Sequence, residues 1–145
     1  MKVALDTSVV VELLSIGAPQ HATTLACYKR HLAEGTEFVL SDHALIESFS
    51  VLSRAPKPYG LPPQDARRHL QAHFGGLPIA SLERGYAWDV IRHILERGQW
   101  GGRVHDAEIA MASYEAGARL LLTWNLRDFL TVAPVGLEIR VPHET

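Results

Sequence analysis

The stretch Val3-Ala4-Leu5-Asp6-Thr7-Ser8-Val9-Val10 decides the fold class. Three apolar residues end abruptly at an acid, two hydroxyl residues follow, and Val9, Val10, Leu13 and Leu14 then recur at helical spacing. A short apolar run of this kind reads as a buried strand, with Thr7 or Ser8 capping a helix that continues through Ile16. Gly17 and Pro19 stop that helix. The start does not read as a signal peptide, because Asp6 and Glu12 interrupt the apolar run and no small-residue cleavage site is evident.

Working outward, the same alternation repeats. A helix is expected from His21 to Ala33, ended by Gly35, and a second strand over Phe38-Val39-Leu40. Ser41 or Asp42 then caps a helix to about Arg54 that carries Glu47. Pro56, Pro58, Gly60, Pro62 and Pro63 mark a rigid surface loop too short for a domain linker. A polar helix over Gln64 to Phe74 precedes an expected short edge strand at Leu77 to Ala80. The helix from Glu83 to Arg97 has a stripe of Trp88, Ile91 and Leu95, widened by Val90 and Ile94, of the kind that faces a core. Val104 to Ala116 is the next helix, with Gly117 at its C-cap. Leu120-Leu121-Leu122 is a strand apolar on both faces, Thr123 to Asp128 a polar loop, and Leu137 to Val141 a last alternating strand ended by Pro142. Strands separated by helices make this an α/β chain: a three-layer α/β/α sandwich with a central, mostly parallel sheet. At 145 residues it reads as one domain spanning 1–145.

Composition narrows the function. Apolar residues are 47% and charged residues 21%, ordinary for a globular protein. Fourteen basic against 16 acidic residues give a net charge of -2, which excludes a strongly basic nucleic-acid tail. The single cysteine, Cys27, rules out an internal disulfide and an all-cysteine zinc site; it reads as a packing residue in a reducing, cytoplasmic setting. No apolar run approaches the roughly 18 residues that span a bilayer.

In a parallel α/β sheet, ligands collect outside the C-terminal ends of the strands. Asp6 ends the first strand, Asp42 and Glu47 follow the second, and Thr123, Asn125 and Asp128 follow Leu120–Leu122. Asp106 lies in the first turn of the helix feeding that strand. Each acid alone has an ordinary reading as a cap, a turn former or an exposed helix residue. If the strands run one way, the acids converge on one rim. Carboxylates there suit magnesium or manganese, which keep several waters and use few protein ligands. In phosphodiester hydrolysis such an ion lowers the pKa of a water, polarises phosphoryl oxygens and stabilises the leaving oxygen. Asp6, Glu47 and Asp106 are the first candidates, Asp128 joins them or orients a water, and Thr123 and Asn125 position ligands without adding charge.

These pieces have a counterpart. Val3-Ala4-Leu5-Asp6-Thr7-Ser8, Glu47, His105-Asp106-Ala107-Glu108-Ile109-Ala110 and Leu122-Thr123-Trp124-Asn125-Leu126-Arg127-Asp128-Phe129 resemble, in order and spacing, the PIN-domain ribonucleases, and among them the VapC-like toxins of toxin–antitoxin pairs. The resemblance runs from Lys2 to about Val141. It implies a PIN-like α/β/α domain, Mg2+- or Mn2+-dependent endoribonuclease activity, a homodimer, and an antitoxin partner that blocks the active site. Residue by residue, it assigns the acids to Asp6, Glu47 and Asp106, and the fourth position to Asn125 or Asp128. Many members have Asp where this chain has Asn125, so one negative charge is missing there unless Asp128 supplies it. Thr7 and Thr123 match the supporting hydroxyl residues.

For an RNA substrate, Arg67, Arg68, Arg97 and Arg103 are candidate backbone contacts, and Trp124, next to the acids, is the best base-stacking candidate ahead of Tyr59 and Trp100. His43 and His105 lie near the acids in sequence and are expected to be dispensable. The segments Val9 to Ile16 and Tyr28 to Leu32 are either a partner surface or ordinary core. The competing function is a catalytically weak or inactive PIN-like module that binds RNA or protein. An aspartyl phosphatase is disfavoured because position 8 is Ser8, and a Rossmann site because the turn after the first strand has no glycine.

Overall fold

The computed structural model describes residues 1–144. The strands are β1 (Lys2–Leu5), β2 (Glu37–Ser41), β3 (Ile79–Ala80), β4 (Leu120–Leu122) and β5 (Glu138–Arg140). The helices are α1 (Thr7–Leu14), α2 (His21–Ala33), α3 (Asp42–Arg54), α4 (Pro63–Phe74), α5 (Ala87–Glu96), α6 (Arg103–Glu115) and α7 (Leu126–Leu130). A 3-10 turn, Pro142–Glu144, follows β5. The strands form one sheet in the order β3-β2-β1-β4-β5, and every pairing is parallel.

That order places the functional rim. The chain moves outward from β1 to β2 to β3, then returns across the sheet to β4 and β5. With right-handed crossovers, the first connections cover one face and the later ones the other. The helix packing agrees: α1 meets α2 and α3, and α3 meets α4, while α6 meets α5 and α7; α3 and α6, from the two layers, also touch. The order reverses between β1 and β4, the switch point where a crevice opens beyond the strand ends.

The central strands are sealed. Val3, Ala4, Leu5, Leu40 and Leu121 have no exposed surface, and Leu122 has 1%. Burial on both faces is why these strands are unbroken apolar runs. A smaller cluster of Val90, Ile94, Ala107, Met111 and Val132 joins α5 to α6. Gly117, at φ 97, ends α6 in a left-handed conformation that costs glycine little.

The structure departs from the sequence reading in several places, among them β3, which is Ile79–Ala80 rather than Leu77 to Ala80. Asp6 itself caps α1, its side chain accepting the Ser8 N–H, and the helix ends at Leu14 rather than Ile16. Helix α5 is shorter than expected, and Trp88, Ile91 and Leu95 are 79%, 42% and 64% exposed. At about 100° per residue they lie on a different face from Val90 and Ile94, and only that second pair seats on α6. The polar loop after β4 is cut short by α7, which Phe129, fully buried, anchors. Of the two segments read as either partner surface or core, Val9, Val10 and Val11 are core and Tyr28 stacks on Phe38 at 4.5 Å, while Ile16 and Leu32 are exposed. Cys27 is buried, as a packing residue should be.

Candidate active site

The strand ladder runs one residue past β1. The Asp6 N–H donates to the Leu122 carbonyl at 3.1 Å, and the Thr123 N–H donates to the Arg140 carbonyl at 3.0 Å. These bonds hold Asp6 beside Thr123 at the switch point. The Thr123 and Ser8 hydroxyls each donate to Asp6 Oδ2 at 2.8 Å. Each hydroxyl in turn accepts a backbone N–H from the next turn: Ser8 from Trp124 at 2.9 Å, Thr123 from Asn125 at 2.9 Å. The turn after β4 therefore fixes the direction of both hydroxyls. Asp6 is only 2% exposed, and burial pushes its pKa up despite the donors, which offset part of the cost.

Three further acids approach from other elements. Asp106 stands in the first turn of α6, Glu47 in α3 and Asp128 in α7. The Asp106 pKa is pushed up to about 6, first by burial, then by the negative charges of Asp6, Asp128 and Glu47; Arg103 opposes them. Arg103 Nη1 lies 3.0 Å from Asp128 Oδ1, so at Asp106 one guanidinium works against three carboxylates. Such a surplus of hard oxygen donors fits a divalent cation of the magnesium or manganese kind.

The supporting residues divide differently from the sequence reading. The Thr7 hydroxyl donates to the Ala44 carbonyl at 3.4 Å, toward α3, whereas Ser8, not singled out from sequence, bonds the carboxylate. Adjacent hydroxyls at a helix start differ only in the direction each leaves the backbone, which no spacing reveals. Asn125 is exposed at the rim, its N–H held by Thr123. The Trp124 indole N–H donates to Thr24 Oγ1 at 3.0 Å, and its ring stacks on His143 at 5.7 Å, so this ring is built into the wall.

The four arginines do not form one patch. Arg103 is beside the acids, Arg97 donates to the Ala133 carbonyl, Arg68 pairs with Asp65, and Arg67 lines an apolar groove between α3 and α4.

Glu12 was also missed. It is 7% exposed, and Tyr59 Oη donates to its Oε1 at 2.7 Å, which raises the tyrosine pKa. The Gln20 N–H donates to its Oε2 at 3.2 Å. Glu12, Glu47, Tyr59, Trp124 and Asn125 line a groove of about 450 Å³ beside the acids. An acid inside an apolar helical run was the available signal. His43, at the start of α3, brings Nε2 to 3.8 Å from Glu47 and Nδ1 to 3.0 Å from Glu108.

No protein-family model matches the chain. Individual relatives do. The chain is 33% identical over 139 residues to Ribonuclease VapC27 of Mycobacterium tuberculosis, covering 95% of each. It is 28% identical to Ribonuclease VapC40 of the same species, over 96% of this chain and 98% of that one. Its fold is similar to that in the crystal structure of VapBC2 from Rickettsia felis bound to a DNA fragment from their promoter, with a TM-score of 0.68 at 19% identity, covering 97% and 98% of the two chains. On full-length similarity above 30% identity, the chain belongs to the PIN-domain, VapC-like ribonuclease toxin family of toxin–antitoxin systems.

Proposed function

We propose that this protein hydrolyses RNA phosphodiester bonds, using Mg2+ or Mn2+ held by Asp6, Glu47, Asp106 and Asp128, and acts as the toxin of a toxin–antitoxin pair. The supporting observation is the charge conflict around Asp106, whose proton is held up to about 6 by burial and three neighbouring carboxylates. A dication held by these residues would offset that conflict. When bound, such an ion supplies Lewis acidity toward water and the phosphoryl oxygens. The chain's own residues do the rest. Ser8 and Thr123 keep Asp6 in one orientation, Arg103 restrains Asp128, and the groove beside Glu47 has room for a nucleotide, with Trp124 and Asn125 at its edge. Arg67, Arg68 and Arg97 contact RNA phosphates farther out. A second copy of the chain and an antitoxin covering the acids complete the proposed assembly.

Purified protein should cut mixed cellular RNA only with Mg2+ or Mn2+, as end-mapping would show, and Asp6→Asn or Asp106→Asn should slow cutting about 100-fold or more. The second reading, a binding module without activity, draws on Asn125 and on the Arg103 pairing that partly neutralises Asp128. Retention of RNA with no cleavage in either metal would favour it.

A further inference from the structure

We infer that His43, His105 and Glu108 form a cation site that borders the carboxylates Asp6, Glu47, Asp106 and Asp128 but differs from them in its donors, and is suited to a transition-metal dication such as zinc. Residues three apart share one helix face, so His105 and Glu108 stand together on α6 while Asp106, between them, turns toward the acids. Helix α3 packs on α6 and brings His43 from its first turn. One ligand atom from each of the three residues lies within 4.8 Å of the others. His43 Nδ1 and Glu108 Oε2 are already 3.0 Å apart, and the two imidazole rings stack with centroids 5.1 Å apart. A tetrahedral ion with bonds of about 2.0–2.1 Å needs ligand atoms roughly 3.4 Å apart. Turning the His105 and Glu108 side chains, which lie at the surface, closes that difference.

The donor set separates this site from its neighbour. Two imidazoles and one carboxylate suit zinc, cobalt or nickel, whereas magnesium favours oxygen and keeps its waters. Three protein ligands leave a fourth position open to solvent, as in zinc sites that exchange a ligand. The alternative account of the cluster is an imidazole, His43, bridging Glu47 and Glu108 with no ion. Zinc binding at these three residues does not require RNA cleavage.

The test uses the full chain, stripped with chelator and supplied with millimolar Mg2+ to fill any oxygen-only site. Calorimetric titration with Zn2+ should show one equivalent bound, and Co2+ in its place should develop the visible absorption of a low-coordinate nitrogen-containing site. His105→Ala and Glu108→Gln should each weaken Zn2+ binding at least tenfold, while Asp106→Asn leaves it unchanged. Two different side chains are tested so that misfolding of one variant does not decide the matter; circular dichroism identifies it. Absence of Zn2+ binding over Mg2+ overturns the inference, as do wild-type affinity in both folded variants or loss of binding in Asp106→Asn, which would put the ion among the carboxylates. RNA cleavage is read separately, so its failure leaves this result standing.

Discussion

Asp6 is a carboxylate that the fold makes costly to ionise and then surrounds with donors. Ser8 gives it a hydrogen bond and takes one from the Trp124 N–H, so Ser8→Ala should cost about 1–3 kcal/mol in denaturant unfolding. Thr7→Val should cost less than Ser8→Ala, under about 1 kcal/mol, because among the described residues its buried hydroxyl makes one long contact, to Ala44. Equal effects would mean that the two hydroxyls share the work. Asp106 yields a pH-dependent expectation for metal-free protein. Its folded pKa of about 6 lies above the unfolded value of about 4, so the fold favours the protonated form. No penalty exists below pH 4; it grows between about pH 4 and pH 6 and is constant above. Asp106→Asn should therefore stabilise the metal-free protein at pH 7.5 by about 1–2 kcal/mol after solvent screening, and hardly at all at pH 4. Thermal melts at the two pH values measure this. The sequence marked Asp6 through the apolar run that ends at it. It did not separate Ser8 from Thr7, since rotamer direction leaves no trace in spacing.

At the level of elements, most of the helices and strands followed from apolar period and from Gly and Pro boundaries. Helix α2 runs from His21 to Ala33 and β4 from Leu120 to Leu122, as read from the residues alone. Helix α5 was the exception. Its two apolar seams look alike in sequence, and tertiary packing alone chooses between them. Ile94→Ala should cost about 2–4 kcal/mol, because it empties a site between α5 and α6. Trp88→Ser should stay within about 0.5 kcal/mol, because that ring is 79% exposed. A large loss at Trp88 would restore the broad core-facing stripe. The pairing of His43 with Glu108 escaped notice for the same reason: it depends on how α3 crosses α6, which neither helix encodes by itself.

Across the whole molecule, the acids belong to α3, α6, α7 and the end of β1, and only the sheet order brings them to one rim. The alternation of strands and helices made a parallel sheet readable. The order β3-β2-β1-β4-β5 was not, because several parallel arrangements share that alternation. A cation that binds the assembled rim and not the unfolded chain adds about 2.7 kcal/mol at a hundred times its dissociation constant. Mg2+ or Mn2+ should thus raise Tm by about 5–10 °C in the wild type, and by little in a protein carrying both Asp6→Asn and Asp106→Asn. The hydrogen bond from Thr123 to Asp6 joins residues 117 positions apart, and β4 enters the sheet directly beside β1. During translation, the first carboxylate has Ser8 beside it almost at once but waits for Thr123 until most of the polypeptide has been made. Shorter nascent products therefore lack the finished rim.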